Sequence, residues 1–183
     1  AGDYVDITGD VSLFAGSLQI SIRRLRKAEK GEYSESDYMP VSRYSIDSMY
    51  DGLMKYASSV QNEYLQKLIR MFFVDDETFI QSFKYSSAAK SIHHCFIGGL
   101  LEHTLGVIGL CHVYAKTYSF LNRDLLVTAA MFHDIGKVRE ISAFPSNDYT
   151  DEGQFLGHII IGYEMIHEAI RKIDGFPEKL EQE

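Results

Sequence analysis

The sequence has few cysteines, no long apolar run and no export signal at its start. Cys95 and Cys111 are isolated and form no CxxC pair, so we expect two reduced, mostly buried thiols. The longest apolar stretch, around residues 158–163, is too short to span a bilayer. The first ten residues hold three aspartates and no basic residue, which does not fit a signal peptide. We therefore expect a cytoplasmic protein without membrane contacts.

The sequence also lacks an excess of positive charge. Its formal net charge is -8 at pH 7, which argues against a protein covered in phosphate-binding surface. One local basic segment remains at residues 21–27, and it is interpreted either as a nucleic-acid contact or as the solvated edge of a strand. Its arginines are therefore candidate substrate-binding residues: Arg23, Arg24 and Arg26.

The 183 residues are enough for one domain with a substantial core. Residues 4–27 alternate apolar and polar side chains between glycines, which predicts two or three strands, too few for a stable sheet alone. Residues 28–44 are polar and predict a linker. From Ser45 onward the apolar period becomes helical. The predicted fold is mainly α, a helical bundle over 45–183 with a small β appendage before it.

The helical part shows several start and stop signals. Ser45 can cap a first helix, and Asp75 with Asp76 suits the start of a third. Gly136 is well placed to end the fifth helix, and residues 142–153 predict a loop. The three longest predicted helices cover residues 100–118, 123–134 and 155–174.

His133 and Asp134 are adjacent in the segment His-Asp-Ile-Gly-Lys, an unusual pair for a core. At the last turn of a helix, both side chains can converge on one point. A buried carboxylate without a cation is strongly disfavoured, and imidazole and carboxylate together suit divalent metals. With the inward-facing His103 they predict a metal site that hydrolyses a phosphate ester. The alternatives are a surface helix end for the pair and a hydrogen-bonded core position for His103.

Further candidate residues surround this motif. Lys137 could neutralise a phosphate oxygen during attack, or it could complement the helix C-terminus. His158 is either an ordinary core histidine or a ligand of a second ion that shares Asp134. His93 and His94 precede a glycine pair and are interpreted as lining the mouth of the pocket.

These residues resemble the HD-domain metal-dependent phosphohydrolases, whose motif is matched by His103 and by His133-Asp134. Three longer segments, at residues 93–104, 133–140 and 149–158, are similar to the YhaM-type 3′–5′ exoribonucleases. Proteins of that type join an OB-fold nucleic-acid-binding domain to a C-terminal HD domain. The resemblance therefore implies an HD-domain helical bundle preceded by the remnant of an OB fold.

The resemblance also implies domain boundaries. Residues 1–44 are expected to be partial OB-fold strands and a linker, and residues 45–183 an HD domain that is truncated at its C-terminus. The family's later His pair and final Asp ligand fall beyond Glu183, and the chain begins with Ala1. We therefore expect an excised fragment that binds metal weakly and need not be active by itself.

The implied activity is metal-dependent phosphodiester hydrolysis, as a 3′–5′ exonuclease on single-stranded RNA or DNA. It would use one or two divalent ions, from among Mn, Fe, Zn, Co and Mg. The expected metal ligands are His103, His133, Asp134 and His158. Asp134 and Lys137 would act in catalysis, and Lys137 would also contact the substrate. Two alternatives stay open: a phosphohydrolase of free nucleotides, and an inactive nucleic-acid-binding or regulatory module.

Overall fold

The structure, a computed structural model, describes residues 3–34, 37–91 and 94–183. The chain divides into two compact units, Ala1–Met39 and Pro40–Glu183. This division lies a few residues before the boundary expected from the sequence.

The first unit is a two-stranded antiparallel ribbon. Strand β1 (Val5–Phe14) pairs with β2 (Ser17–Lys27), with an irregularity of register beside Gly9. Ala15 and Gly16 form the connecting turn with φ values of 49° and 82°, the two positive values that a tight hairpin turn requires. Every residue of both strands is exposed. The strands predicted from alternation are thus present, and the described part of this unit contains two of them.

The second unit is helical, which confirms the mainly α fold with a small N-terminal β appendage. Its helices are α1 (Ile46–Ser58), α2 (Glu63–Phe73), α3 (Glu77–Tyr85), α4 (Gly99–Thr117), α5 (Arg123–Phe132), α6 (Lys137–Glu140), α7 (Asp151–Ile170) and α8 (Glu178–Gln182). Within the three described ranges, no helix combines the length and the apolar character needed to cross a membrane.

Side chains at the helix starts explain where several helices begin. Ser45 accepts a hydrogen bond from the backbone N–H of Ser48, and Asp76 accepts one from that of Phe79. Such caps satisfy donors that the first helical turn leaves open. The caps at Ser45 and Asp76 agree with the expectation from the sequence.

The core joins the helices that carry the candidate site. Edge-to-face phenyl rings connect α2, α3 and α5, with Phe73 and Phe132 separated by 5.5 Å between ring centroids. Leu100 and Leu101 of α4 are fully buried, and Ile135 is fully buried just after α5. Helix α4 packs along α5, and α6 packs along α7. The core thereby fixes the start of α4 against the end of α5.

The end of α5 differs from the prediction. The helix ends at Phe132, and α6 begins only four residues after His133. Gly136 has φ -61°, so it is not the left-handed glycine of a helix end. A Cβ atom at Gly136 would lie 2.1 Å from the backbone oxygen of His158. The glycine is needed there for close packing against α7.

The last long helix also departs from its predicted bounds of 155–174. It begins at Asp151, because Thr150 caps it by accepting a hydrogen bond from the backbone N–H of Gly153. It is interrupted at Gly157, whose φ of 70° is not helical, and it ends at Ile170. The predicted loop is therefore shorter than residues 142–153.

Candidate metal centre

Three predicted ligands converge at the junction of α4 and α5. His103 lies in the first half of α4, His133 follows the last residue of α5, and Asp134 is the next residue. The Nε2 atoms of the two histidines lie 3.1 Å apart. Each Nε2 atom lies 3.4 Å from Oδ2 of Asp134. These three residues form a group that could hold a metal ion.

The spacing of the three ligand atoms fits one shared ion. Histidine nitrogens and carboxylate oxygens bind zinc at about 2.0–2.2 Å. Two ligands at about 2.1 Å, with an angle of about 95–110° at the metal, lie about 3.1–3.4 Å apart. The separations between His103, His133 and Asp134 fall in this range. The donor set of two imidazoles and one carboxylate suits Mn, Fe, Co or Zn better than Mg.

The backbone selects the tautomer of His133. Its Nδ1 atom lies 2.8 Å from the carbonyl oxygen of Ala130. A carbonyl oxygen can only accept, so Nδ1 carries the proton and donates it. In the neutral ring, the lone pair of Nε2 is then directed toward His103 and Asp134, as metal binding requires.

Asp134 is buried, with 7% of its surface exposed. Burial alone would raise the pKa of its carboxyl, but the hydrogen bond from His133 and the charges of His133, Lys137 and His158 outweigh it and lower that pKa. The hydrogen bond to Asp134 raises the pKa of His133, whereas burial lowers the pKa of His103. In the metal-free chain, Asp134 is therefore held as a carboxylate.

His158, from α7, reaches the other oxygen of the same carboxylate. Its Nε2 atom lies 3.4 Å from Oδ1 of Asp134. Its Nδ1 atom lies 2.9 Å from Oε1 of Glu140, which also accepts the backbone N–H of His158 at 2.9 Å. The carboxylate of Asp134 thus has imidazole nitrogens on both sides.

Glu140 received no role from the sequence, although it stands in the segment 133–140 that resembles the family. Its side chain is buried, with 6% of the residue exposed. A carboxylate that accepts from the far nitrogen of a metal-binding histidine is a recurrent feature of metal sites. An acidic residue shortly after the His-Asp pair was the available signal, but only the fold places it beside His158.

Lys137 lies at the start of α6, next to the ligand carboxylate. Its ammonium group donates to the carbonyl oxygen of Ala88 at 2.7 Å and lies 3.8 Å from Oδ2 of Asp134. Its side chain is only 14% exposed. The positive charge is therefore held at the edge of the metal-ligand group.

His94 borders the same group. Its ring centroid lies 5.4 Å from that of His103, and its Nε2 atom lies 4.0 Å from Oε1 of Glu102. The other carboxylate oxygen of Glu102 accepts a hydrogen bond of 2.6 Å from Ser42. A Cβ atom at Gly99 would lie 2.0 Å from the backbone oxygen of His94, so glycine permits this close approach. The second histidine of the pair, His93, lies outside the described residues.

The three candidate arginines belong to β2 of the first unit. Arg23 pairs with Asp10 at 2.5 Å. Arg26 pairs with Asp6 at 2.8 Å and with Glu32 at 2.7 Å. Nearby carboxylates thus neutralise part of the positive charge of the basic segment. Among the residues that the structure describes, no carboxylate forms an ion pair with Arg24.

Comparison with known proteins bears on the whole chain. Residues 100–178 match the HD domain family. The chain is 35% identical over 158 residues to the 3′–5′ exoribonuclease YhaM of Geobacillus sp., covering 86% of this chain and 48% of that protein. It is 31% identical over 170 residues to YhaM of Bacillus subtilis (92% and 53%), and 33% identical over 174 residues to YhaM of Listeria innocua (93% and 55%). No solved structure matches.

The chain spans about half the length of the curated relatives it matches. The HD match contains Lys137 and also all four predicted metal ligands: His103, His133, Asp134 and His158. The resemblance drawn from the sequence is thereby confirmed: residues 100–178 match the HD domain family, and the chain is similar over most of its length to YhaM 3′–5′ exoribonucleases.

Proposed function

We propose that this chain is the metal-binding part of a metal-dependent phosphohydrolase. The observation that carries the proposal is the arrangement around Asp134. One of its oxygens faces Nε2 of His103 and of His133, and the other faces Nε2 of His158. The carboxylate is almost fully buried, and in the metal-free chain His133, Lys137 and His158 compensate its charge. A divalent ion bound by these side chains would compensate that charge more fully.

Each residue then has a defined role. His103, His133 and Asp134 would hold a divalent ion, and His158 would be available to a second ion. A bound divalent ion lowers the pKa of water and polarises a phosphoryl oxygen. Lys137 places a positive charge where negative charge develops on the phosphorus-bound oxygens during attack. In the overall reaction, a water oxygen bonds to phosphorus, the bond from phosphorus to the leaving oxygen breaks, and a proton of the water passes to the leaving oxygen.

The finer proposal is a 3′–5′ exonuclease acting on single-stranded RNA, with DNA as a further substrate. Its support is the similarity to relatives that are named 3′–5′ exoribonucleases. His94 stands beside His103 at the edge of the ligand group, where it would meet the terminal nucleotide. Arg24, on β2, would contact the backbone of the strand.

The first test is metal content, measured by elemental mass spectrometry of the purified chain. If only the site of His103, His133 and Asp134 is filled, we expect about one transition ion per chain. We expect that ion to be lost in Asp134→Asn. Asp151→Asn is the matched control, since Asp151 is an exposed aspartate in the first turn of α7. Equal metal content in the chain and in Asp134→Asn would refute the site.

The second test is hydrolysis of a single-stranded RNA labelled at its 5′ end, in the presence of Mn²⁺. An exonuclease working from the 3′ end gives a ladder of labelled products that shorten one nucleotide at a time. Internal cuts from the outset would exclude the exonuclease proposal. Metal binding without any hydrolysis would favour an inactive binding or regulatory module for this chain.

A phosphohydrolase of free nucleotides is the second candidate. The pairing of Arg23 with Asp10, and of Arg26 with Asp6, favours it, because these arginines are already compensated. The net charge of -8 points in the same direction. Release of phosphate from nucleotides, with no cleavage of the RNA, would support this candidate over the nuclease.

A further inference from the structure

We propose that Asn147 is a positioning residue for the edge of the metal centre, acting through the chain segment before α4. The inference deepens the proposed function and rests on it. No sequence motif assigns a role to Asn147. The evidence is a set of side-chain contacts that link Asn147 to Lys137 and to His94.

The polar atoms of the Asn147 side chain form hydrogen bonds with the segment before α4. Asn147 is 7% exposed. Its amide nitrogen lies 3.2 Å from the carbonyl oxygen of Ala89, 3.1 Å from that of Lys90 and 3.2 Å from Sγ of Cys95. Its amide oxygen accepts a hydrogen bond from the buried hydroxyl of Ser87. The amide of Asn147 therefore holds two segments of the chain, one at residues 87–90 and one at Cys95.

The same segments contact the candidate site directly. The carbonyl oxygen of Ala88 accepts from the ammonium group of Lys137 at 2.7 Å. The backbone N–H of Ala88 donates to the carbonyl oxygen of His94 at 3.0 Å. Ala88 lies between Ser87 and Ala89, which both contact Asn147. A displacement of this segment would therefore move the partner of Lys137 and the backbone of His94 together.

The loop that carries Asn147 is itself well anchored. Its two ends are joined by the backbone hydrogen bond from Ser142 to Asp148, of 2.8 Å, and by the hydroxyl of Ser142. Asp148 also pairs with Lys90 at 2.6 Å. An anchored loop can hold a second segment in place, whereas a mobile loop could not.

Asparagine is suited to this position for two reasons. Its φ is 43°, in the left-handed region that asparagine tolerates better than most residues. Its amide also donates and accepts at once, as the contacts with Ser87 and with the carbonyl oxygens require. Aspartate has nearly the same shape but no donor, so Asn147→Asp removes one half of the interaction.

The side-chain hydrogen bonds of Asn147 do not involve His103, His133 or Asp134. The ligands of the first ion belong to α4 and to the end of α5, and their mutual contacts do not pass through the loop of Asn147. Loss of the Asn147 contacts should therefore leave metal binding in place while displacing Lys137 and His94. This separation distinguishes a positioning role from general damage to the fold.

The test compares the full chain with Asn147→Asp and with Asn62→Asp. Asn62 is the matched control: its side-chain oxygen only accepts, from the N–H groups of Tyr64 and Leu65 at the start of α2, and aspartate accepts equally well there. The primary readout is the NMR signals of the His94 ring and of the Lys137 ammonium group in the metal-free chain. Metal content and hydrolysis of single-stranded RNA with Mn²⁺ are measured in parallel.

We expect shifted or broadened His94 and Lys137 signals in Asn147→Asp, with unchanged metal content and wild-type signals in Asn62→Asp. Where the chain hydrolyses RNA, kcat should fall by about 10- to 100-fold, because a misplacement of about 1 Å has an effect of this size. Wild-type signals of both groups in folded Asn147→Asp would overturn the proposal. A chain without metal or hydrolysis would instead count against the proposed function, and the NMR comparison would still decide the role of Asn147.

A milder variant covers the case in which Asn147→Asp does not fold. Ser87→Ala removes only the donor to the amide oxygen of Asn147. It should produce the same changes in the His94 and Lys137 signals at smaller amplitude. Unchanged signals in folded Ser87→Ala, where Asn147→Asp fails to fold, would contradict the proposal.

Discussion

A single oxygen of Glu140 holds both the backbone and the ring of His158. Oε1 lies 2.9 Å from the backbone nitrogen of His158 and 2.9 Å from its Nδ1 atom. A carboxylate oxygen accepts, so Nδ1 carries the proton and Nε2 is directed toward Asp134, 3.4 Å away. The backbone contact comes directly after the break in α7 at Gly157. Glu140 thereby sets both the path of α7 and the tautomer of its histidine.

The first prediction concerns removal of this carboxylate. In Glu140→Ala, two donors of His158 lose their buried acceptor, which should lower the free energy of unfolding by about 1–3 kcal/mol. Glu140→Gln keeps a neutral acceptor, so we expect a smaller loss of stability but a fall of about 10- to 100-fold in the affinity for an ion bound by His158. Urea unfolding and Mn²⁺ calorimetry measure the two effects.

Glu152→Ala is the control for this pair of variants. Glu152 makes an ion pair with Arg139 near the surface, and such pairs contribute at most about 1 kcal/mol. If Glu140→Ala unfolded at the same urea concentration as Glu152→Ala, the proposed importance of the His158 contacts would be wrong.

The second prediction concerns the close contact between the His-Asp turn and α7. A Cβ atom at Gly136 would lie 2.1 Å from the backbone oxygen of His158 and 2.7 Å from the backbone nitrogen of Gly162. Both obstacles are backbone atoms, so the turn and α7 must separate in Gly136→Ala. We expect a loss of more than about 2 kcal/mol of stability, typical of overpacking, together with weaker metal binding.

Gly106→Ala is the opposite case on the same domain. Gly106 lies in α4, and apart from the adjacent backbone of its own helix and its two chain neighbours no atom lies within 4 Å of a Cβ built there. Alanine should stabilise the helix by up to about 1 kcal/mol at this position. Thermal unfolding of both variants tests the contrast, and similar shifts of Tm in the two variants would contradict the packing argument.

The third prediction is the pH dependence of metal binding. The hydrogen bond to Asp134 raises the pKa of His133 above its ordinary value of 6.5, and burial lowers that of His103. An ion binds only the neutral ring, so the proton on His133 is the main competitor as pH falls. Apparent affinity should therefore rise with pH by up to about tenfold per unit, below the raised pKa of His133.

Calorimetry with Mn²⁺ in buffers of different ionisation enthalpy measures the number of protons released on binding. About one proton should leave per ion at slightly acidic pH, and none well above the raised pKa. An affinity that does not change between about pH 6 and pH 8 would exclude His133 as a ligand.

Local features of the sequence were sufficient for the starts of α1 and α3 and for the pairing of His133 with Asp134. Ser45 and Asp76 precede helical periodicity, and they cap α1 and α3. His133 and Asp134 stand at the end of a helix, where adjacent side chains can reach one point, and the fold brings His103 to it. The helix starts and the His133-Asp134 pair depend on residues that are adjacent in the sequence, so they could be predicted from it.

Other features depended on contacts between distant segments. Gly136 has the position of a helix-ending glycine, and only the proximity of His158 reveals its packing role. The contact of Glu140 with His158 requires the four-residue helix α6, which is too short to show a period. The start of α7 was placed too late because the polar residues Asp151 and Glu152 resemble a loop, although Thr150 caps them into a helix.

The fourth prediction separates the arginines of β2 by their existing partners. Arg26 is engaged by Glu32 and Asp6, and Arg23 by Asp10. Arg24 has no ion pair within the described ranges, so its charge is available to a phosphate group. If this chain binds single-stranded RNA through β2, Arg24→Ala should weaken binding more than Arg26→Ala does.

Salt dependence makes this comparison quantitative. Each phosphate contact on a single strand contributes about 0.7 to the slope of log affinity against log salt. Arg24→Ala should therefore reduce the slope by about 0.7 for a short poly-uridine strand. Arg26→Ala should change the slope less, because the guanidinium of Arg26 is already paired with Asp6 and Glu32 and so contributes little to binding a phosphate. Equal slopes for the unmodified chain and for Arg24→Ala would mean that β2 does not bind the RNA. That result would favour the free-nucleotide alternative.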